Sequence, residues 1–270
     1  MENLIDANYH SHTSRCGHAY GKDEEYVKAA LSQGFKVLGF SDHVMLPGVV
    51  QKGMRGDYSL LDDYIDSVLS LKNEYQGRIE ILLAFECEWY SKEFADYYRD
   101  LLEKRGFDYL ILGQHCRRVG GRITFYSNFP DRKQAVEQYA KDLIEGMESR
   151  LFAYVAHPDN YLLWHDEWDE VSEKAAWMIC KKAKELNLPL EINMGPSRWK
   201  GKTSPDDLSF CCYPYPKFFE IAKEIGNEVI IGVDAHSPSD YLNSDFGWAA
   251  DFARKMGLSP LKRLILPSRK

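Results

Sequence analysis

The stretch FKVLGFSDH, residues 35–43, joins a short apolar run to a Ser-Asp-His ending, and it decides the fold. Upstream, Asp23 is placed to cap a helix whose apolar positions have helical spacing, and Gly34 is placed to end it. A further apolar run over residues 4–9 predicts the preceding strand. Together these segments predict one β-α-β unit with two parallel strands.

The same order of helix, apolar strand and polar strand end recurs along the chain. Further strands are predicted over residues 79–85, 109–113, 151–156, 188–192 and 229–233. Helices are predicted around residues 60–75, 94–104, 136–147, 172–186, 218–225 and 246–256, and a terminal apolar run covers 264–266. Apolar strands separated by helices are typical of parallel sheets that are buried on both faces. The segment 117–130, which holds a Gly-Gly pair, is predicted to be a mobile or functional loop.

Polar side chains follow the predicted strands where each strand ends. They are His10 and His12, His43, Glu86, His115, His157, Asn193, and Asp234 with His236. In a barrel the carboxyl ends of the strands form one rim, where active sites are built. A doubly wound open sheet, the alternative fold, would concentrate such residues at one switch point. The distribution favours one α/β domain over residues 1–270, a TIM-like barrel close to (β/α)7.

The segment NYHSHTSRCGHA, residues 8–19, holds three of the eight histidines of the chain. Period-two alternation puts His10 and His12 on one face of a strand, and His18 follows in a glycine-containing loop. Imidazoles in this arrangement suit zinc, iron or manganese. Taken alone, an H-x-H pair is equally compatible with surface histidines.

Seven of the eight histidines belong to the candidate site, and only His165, in a Trp-rich turn, lies outside it. The candidate metal ligands are His10, His12, His18, His43, Glu86, His115, His157, Asp234 and His236. One zinc ion takes only three or four protein ligands, so this set suits two or three metals, with Glu86 as the bridge. Clustered metals lower the pKa of a bound water and stabilise both oxygens of a phosphoryl displacement.

Composition restricts the class of partner. A formal net charge of -7 argues against a nucleic-acid binder but is compatible with a small phosphorylated metabolite held by a few cations. Apolar runs fall short of the ~18 to 20 residues of a membrane span, and the first residues lack signal-peptide character. We therefore expect a cytoplasmic protein that does not bind membranes, and we leave homo-oligomerisation open.

The six cysteines show no C-x-x-C pair, so reduced thiols are expected. Cys87 and Cys116 each follow a candidate ligand directly. Because neighbouring residues of a strand point to opposite faces, both cysteines are expected to pack in the core rather than bind metal.

The combined pattern resembles the polymerase-and-histidinol-phosphatase (PHP) superfamily over nearly the whole chain. The matching motifs are His10-x-His12 with His18, Ser41-Asp42-His43, Glu86, His115, His157-Pro158 and Asp234-x-His236. Residues 10–19 look most like the stand-alone phosphatases of this family that act on L-histidinol phosphate in histidine biosynthesis. The resemblance implies a distorted (β/α)7 barrel with three divalent metal ions, and hydrolysis by a metal-activated hydroxide.

Residue by residue, the resemblance implies three metal positions. The first would use His10, His12, Glu86 and Asp234; the second Glu86, His115 and His157; the third His18, His43 and His236. Arg198 would bind phosphate, and Asp234 would also relay a proton to the leaving group. From the residues themselves, Arg117 is a further candidate for phosphate contact, and Asp42 is expected to orient a ligand histidine. Glu191, Tyr126 and Trp199 are candidates for contacting a cationic substrate.

Other functions are compatible with parts of this pattern. A PHP-type phosphoesterase acting on another small phosphate ester and a PHP-type nuclease share the same ligands. An amidohydrolase also begins with H-x-H on a barrel strand, but would want a metal-bridging lysine where this chain has His115. A metal-binding protein without catalytic activity is the alternative outside the enzymes.

Overall fold

Helices and strands alternate along most of residues 5–266, the part of the chain that this computed structural model describes. The strands are β1 (Ala7–Asn8), β2 (Val37–His43), β3 (Glu80–Cys87), β4 (Tyr109–Leu112), β5 (Cys116–Val119), β6 (Arg122–Phe125), β7 (Leu190–Asn193) and β8 (Val229–Gly232). The α-helices are α1 (Asp23–Ser32), α2 (Leu61–Glu74), α3 (Ala95–Lys104), α4 (Arg132–Glu148), α5 (Glu170–Leu186), α6 (Gly195–Trp199), α7 (Pro216–Ile225), α8 (Pro238–Asn243) and α9 (Phe246–Lys255). None of these helices has the length and apolar character needed to cross a membrane.

Parallel strands follow one another around a ring. Strands β1 to β4 pair in sequence order, and β7 pairs with β8. Val155 bridges Leu112 of β4 on one side and Leu190 of β7 on the other, and so takes the place of a further strand. A parallel bridge between Ser11 and Ala235 joins the segment after β8 to the segment after β1. The six parallel strands and the bridge at Val155 make seven strand positions, which confirm the predicted barrel.

The barrel is distorted at two of its seven strand positions. The strand predicted over 151–156 is reduced to the bridge at Val155, and the first strand is reduced to β1, while Leu4 of that prediction lies outside the described residues. His157 has a positive φ of 28° and precedes Pro158. Left-handed backbone leaves the extended geometry that a strand ladder requires, so pairing ends here.

Side chains on β3 alternate between the barrel interior and the layer of helices. Leu82 and Ala84 belong to the interior cluster, whereas Leu83 and Phe85 pack in the larger core between strands and helices. Glu86 continues the inward series, so its carboxylate lies at the carboxyl end of the barrel. Strand periodicity thus places the ionisable side chain above an apolar floor.

The floor of the barrel is closed by packed side chains. The Tyr109 hydroxyl donates to the Tyr9 carbonyl (2.7 Å), and a Cβ at Gly39 would lie 1.8 Å from the Tyr109 oxygen. The predicted terminal apolar run packs here as well: Leu264 and Leu266 are partly buried against the interior cluster, and the Leu264 amide donates to the Tyr9 hydroxyl (3.1 Å). The interior is therefore a packed core, as in other barrels of this class.

The predicted loop after His115 is wrong in its first half, because residues 116–125 form a hairpin. Strands β5 and β6 pair antiparallel, with Cys116 opposite Phe125. Gly120 and Gly121, both at positive φ (55° and 81°), make the turn. Two consecutive glycines suit the two-residue turns that connect such strands.

Asp23 and Asp169 lie at helix starts whose capping the sequence did not predict correctly. Asp23 is the first residue of α1 rather than its cap, and its carboxylate instead accepts hydrogen bonds from Arg15 (2.8 Å) and Ser67 (2.6 Å). Helix α5 begins at Glu170, because the Asp169 carboxylate accepts from the second and third amides beyond it at 3.0 Å. Side-chain caps of this kind satisfy amides that lack a helical partner.

Candidate metal centre

A cavity of about 550 Å³ opens at the carboxyl end of the barrel. All the candidate ligands except His10 line it, and His10 lies fully buried beneath. The ligands come from β2, β3, the turns after β1, β4 and β8, and the backbone reversal at His157. Strand ends that are far apart in sequence therefore bring their side chains to one site.

Glu86 lies at the centre of this site and is 1% exposed. Five imidazoles have a ring nitrogen within 3.6 Å of its carboxylate, with the shortest distances 2.8 Å and 3.0 Å: those of His10, His12, His43, His115 and His157. Burial alone would raise the pKa of Glu86, but the surrounding histidines lower it well below its ordinary value. Glu86 is thus a buried anion that several ligands share.

Asp234 forms a second anionic centre just after β8. Its Oδ1 lies 3.2 Å from His12 Nε2, 3.4 Å from His236 Nδ1 and 3.6 Å from His10 Nε2. The residue has a positive φ of 53°, a strained conformation for a residue with a side chain. Left-handed backbone here turns the carboxylate from the end of its strand towards the histidines of the first turn.

Four imidazoles pack on one another at the cavity wall. The ring of His12 stacks on that of His236 (4.1 Å between centroids) and lies 4.4 Å from His43, and His18 Nε2 is 3.0 Å from His236 Nε2. Burial, together with the charge on His12, lowers the pKa of His18 and His43, and lowers that of His236 to about 3. These three rings are therefore neutral and carry a free nitrogen lone pair, the form that binds metals.

The pKa values of His10 and His12 shift in the opposite direction. Burial alone would lower the pKa of His10 and His12, but facing carboxylates raise both, that of His12 to about 9. Each ring points its Nε2 towards Asp234 Oδ1 and Glu86. The two carboxylates thus make this part of the site one that favours positive charge.

Buried polar atoms without a hydrogen-bond partner also indicate that these residues could bind divalent metals. Buried polar atoms in this cluster lack a hydrogen-bond partner among the described residues: His10 Nε2, His12 Nδ1, His18 Nδ1, His43 Nδ1, Glu86 Oε2, His157 Nδ1 and Asp234 Oδ1. Leaving each unsatisfied costs about 1–3 kcal/mol, which a bound cation would offset for those that face it. Nitrogen and carboxylate donors together are the ligands of zinc, iron and manganese.

The structure groups the donors in overlapping triplets. Ligand atoms lie within 4.8 Å of one another in the sets His10/His12/Asp234, His10/Glu86/His157 and His12/His43/His236. The first set contains three of the four residues predicted for the first metal. His12 joins His43 and His236 in the third set, where the sequence suggested His18. The division into three metal positions stays a prediction.

Carboxylates behind the site hold the histidines in place. Glu191 Oε1 lies 2.8 Å from His10 Nδ1, Glu88 Oε1 lies 3.2 Å from His115 Nδ1, and Asp42 Oδ1 lies 3.5 Å from His12 Nδ1. The placement of Asp42 agrees with its predicted role. Glu191, a predicted substrate contact, is instead fully buried behind His10 and does not line the cavity, a position that suits orienting a ligand.

Glu88 was missed by the sequence analysis. Its other oxygen accepts a hydrogen bond from Arg55 (2.9 Å), whose buried guanidinium also donates to the Val44 carbonyl (2.9 Å). The spacing Glu86-x-Glu88 was a signal that could have found it, since residues two apart on a strand share a face.

Two glycines make room for the buried carboxylates. A Cβ at Gly113 would lie 1.9 Å from Glu86 Oε1, and a Cβ at Gly232 would lie 1.8 Å from Glu191 Oε1. Both distances are far below contact distance, and both neighbours are held by histidines. Any side chain at either position would displace the carboxylate that it faces.

The two predicted phosphate-binding arginines lie in different surroundings. Arg198, on α6, lines the cavity and donates to the carbonyls of Val233 (2.7 Å) and Asp234 (2.6 Å). Arg117, on β5, does not line the cavity, and its Nε lies 3.3 Å from Asp142 Oδ2. The contact of either arginine with substrate stays a prediction.

The aromatic candidates also separate. Trp199 lines the cavity and is 64% exposed. Tyr20 and Tyr213 line the cavity as well, and neither was predicted from the sequence. Tyr126 is fully buried and donates to Asp142, away from the cavity. Cys87 and Cys116 pack in the core as predicted, and all six cysteines are free thiols.

We expect Arg198→Lys to lower kcat/KM by roughly 10²-fold, the scale of removing one preorganised charged donor. A lysine provides a single point of charge and cannot span two carbonyls as the guanidinium does. Steady-state kinetics on a phosphate ester would measure the loss. Arg254→Lys, at an exposed arginine of α9 paired only with Asp251, is the control, and equal kinetics for both variants would contradict the prediction.

Comparisons of sequence and fold relate the chain to known proteins. A protein of Deinococcus radiodurans named "Probable histidinol-phosphatase" is 27% identical over 249 residues, which cover 89% of each chain. A Schizosaccharomyces pombe protein with the same name is 24% identical, over 93% of this chain and 87% of the relative. The crystal structure of a histidinol phosphate phosphatase from Lactococcus lactis, with zinc, L-histidinol and phosphate, superposes with a TM-score of 0.72 at 17% identity, covering 95% of both chains.

Residues 8–195 match the PHP domain family, a span that runs from the first strand to the beginning of α6. It includes seven of the nine candidate ligands, while Asp234 and His236 follow it. Since this match covers more than half of the sequence, the chain belongs to the PHP domain family.

Proposed function

We propose that the chain is a metal-dependent phosphomonoesterase that hydrolyses L-histidinol phosphate to L-histidinol and phosphate. The observation that carries the proposal is the convergence of six histidines and two buried carboxylates on one cavity at the carboxyl end of the barrel, with His10 directly beneath. Relatives that align over most of both chains and are named histidinol-phosphatases support the choice of substrate.

The nine candidate ligands would hold three divalent ions, with Glu86 shared between two of them. Bound metals supply a water of lowered pKa and neutralise charge on the phosphate. In the hydrolysis, a bond forms between a water oxygen and phosphorus while the bond from phosphorus to the histidinol oxygen breaks. The remaining steps belong to the protein: orienting the ester, accepting the proton of the water and delivering a proton to the alkoxide.

Asp234 lines the cavity and is the residue that we assign to the transfer of that proton. Burial alone would raise its pKa, but His10, His12 and His236 lower it well below the ordinary value, so the carboxylate is ionised before reaction. It therefore has to accept the proton released by the attacking water before it can deliver one to the leaving alkoxide. Arg198, whose side chain lines the cavity beside Asp234, would bind the phosphate through its guanidinium, whose Nε also lies 3.4 Å from Asp240 Oδ1.

Phosphate release tests the proposal directly. The purified protein, supplied with manganese or zinc, is expected to release phosphate from L-histidinol phosphate much faster than from sugar phosphates, nucleotides or single-stranded DNA. A faster reaction with another phosphate ester would keep the phosphatase and overturn the substrate. Turnover of DNA alone would favour the nuclease, and no turnover of any ester would leave a metal-binding protein.

Substitution of His18 tests the division of the metals. We expect His18→Ala to lower the metal content by one ion per chain, because its Nε2 faces His236 and not the two carboxylates. Elemental analysis after exhaustive dialysis would measure the stoichiometry. His165→Ala, outside the cavity, is the matched control and should keep the wild-type content. Loss of all the metal together in His18→Ala would contradict separate positions.

A further inference from the structure

Tyr213 forms part of the cavity wall from the segment that joins α6 to α7. The residue is 6% exposed, and its ring lies 5.6 Å from that of His157, inclined at 49°. The ring thus packs against a candidate metal ligand, and the same side chain lines the space that a substrate would enter.

The hydroxyl of Tyr213 has no hydrogen-bond partner among residues 5–266. Buried tyrosines elsewhere in this barrel use theirs: Tyr109 donates to a carbonyl, and so does the neighbouring Tyr215 (3.2 Å, to Leu208). Tyrosine hydroxyls usually find a partner when they are buried. The Tyr213 hydroxyl is therefore free to donate to a group that enters the cavity.

The chemistry of the phenol indicates which ligand group suits it. A tyrosine hydroxyl is a neutral hydrogen-bond donor at neutral pH, because its ordinary pKa is about 10. A phosphate ester presents several negatively charged acceptor oxygens and no apolar surface at its phosphoryl end. A neutral donor that does not compete with the histidines for metal suits those oxygens.

Tyr213 adds to Arg198, the charged donor proposed above for the phosphate, and the other neutral donors that line the cavity are less suited to this contact. The Ser237 hydroxyl lies 2.7 Å from that of Ser239. Tyr20 and Trp199 are 72% and 64% exposed, so water competes for their polar atoms. A hydrogen bond made by a buried donor is stronger, because the surroundings screen it less.

We propose that the Tyr213 hydroxyl binds the substrate by donating a hydrogen bond to a phosphoryl oxygen, which makes Tyr213 a substrate-contacting residue of this site. The inference rests on the proposed phosphatase function, but it requires only that phosphate binds in the metal-loaded cavity.

Tyr213→Phe removes the hydroxyl and keeps the ring that packs on His157. In the metal-loaded protein we expect the dissociation constant of inorganic phosphate, measured by calorimetry, to rise roughly 10-fold or more, the effect of losing a hydrogen bond to a charged acceptor. Metal content and thermal midpoint should match the wild type. Tyr215→Phe, which removes a buried hydroxyl two residues away and outside the cavity, is the control.

Unchanged phosphate affinity in Tyr213→Phe would overturn the assignment, and so would a loss of metal, since Tyr213 would then act through His157. Kinetics with two esters separate the phosphoryl group from the leaving group. Equal losses for L-histidinol phosphate and p-nitrophenyl phosphate support the phosphoryl contact, whereas a loss confined to the poorer leaving group would overturn it. Because calorimetry needs no turnover, failure of the proposed substrate would leave the test of Tyr213 intact.

Discussion

Glu86→Gln is expected to lower kcat/KM by roughly 10³-fold or more, the upper range for removal of a single charge-stabilising group. The substitution keeps the size of the side chain but removes the charge that faces five imidazoles. An amide also offers only one oxygen, so it cannot join two metal positions. Metal content should fall by at least one ion per chain, measured by elemental analysis beside the kinetics.

Glu80→Gln provides the matched control for this loss. Glu80 begins the same strand, is exposed, and lies at the opposite end of the barrel. Its variant should keep both the metal content and the activity of the wild type. If Glu86→Gln retained its metals and its rate, Glu86 would not be the shared ligand, and the centre of the site would have to be sought elsewhere.

Gly113→Ala is the second substitution for which we expect a large effect. The added Cβ would lie 1.9 Å from Glu86 Oε1, so either the carboxylate or the backbone after β4 has to move. Overpacking of this kind destabilises a core by about 1–3 kcal/mol. Displacing a catalytic group by about 1 Å can cost on the order of 10²-fold in rate, so we expect activity to fall more than stability. Thermal unfolding and steady-state kinetics would measure the two effects.

Gly247→Ala separates the clash from the general effect of replacing glycine. Gly247 is exposed in α9, where the added methyl would meet only Asp245 Oδ1, at 3.3 Å. That variant should keep full activity and wild-type or slightly higher stability, since alanine favours helices. Wild-type activity in Gly113→Ala would show that Glu86 tolerates a displaced position, contrary to the geometry described above.

The sequence alone predicted the barrel, and it predicted that the candidate metal ligands lie together at its carboxyl end. Both predictions have the same physical reason. Parallel strands all end on the same rim, so a polar residue at the end of each apolar run is enough to locate the site. Glu86, at the end of β3, and His43, at the end of β2, follow this rule directly. It holds whatever the exact length of each strand.

The features that the sequence did not predict depend on contacts between distant segments. Glu191 was selected as a substrate contact because it is acidic and near the rim, but an inward position on β7 buries it behind His10. Arg198 donates to the carbonyls of Val233 and Asp234, which lie more than thirty positions later in the chain. Tyr213 lies in an irregular segment without periodicity, so no local pattern indicated its direction. Such orientations follow from tertiary packing rather than from spacing.

The packed floor beneath Glu86 has a consequence for the order in which products leave. Among residues 5–266, the amino end of the barrel is closed by Tyr9, Tyr109 and Leu264. Substrate and products therefore enter and leave through the cavity opening at the carboxyl end. Under the proposed function, the phosphoryl group binds against the deep histidines and the histidinol part lies nearer the rim. We therefore expect histidinol to depart first and phosphate last, so phosphate should compete with the substrate for the free enzyme while histidinol should inhibit noncompetitively.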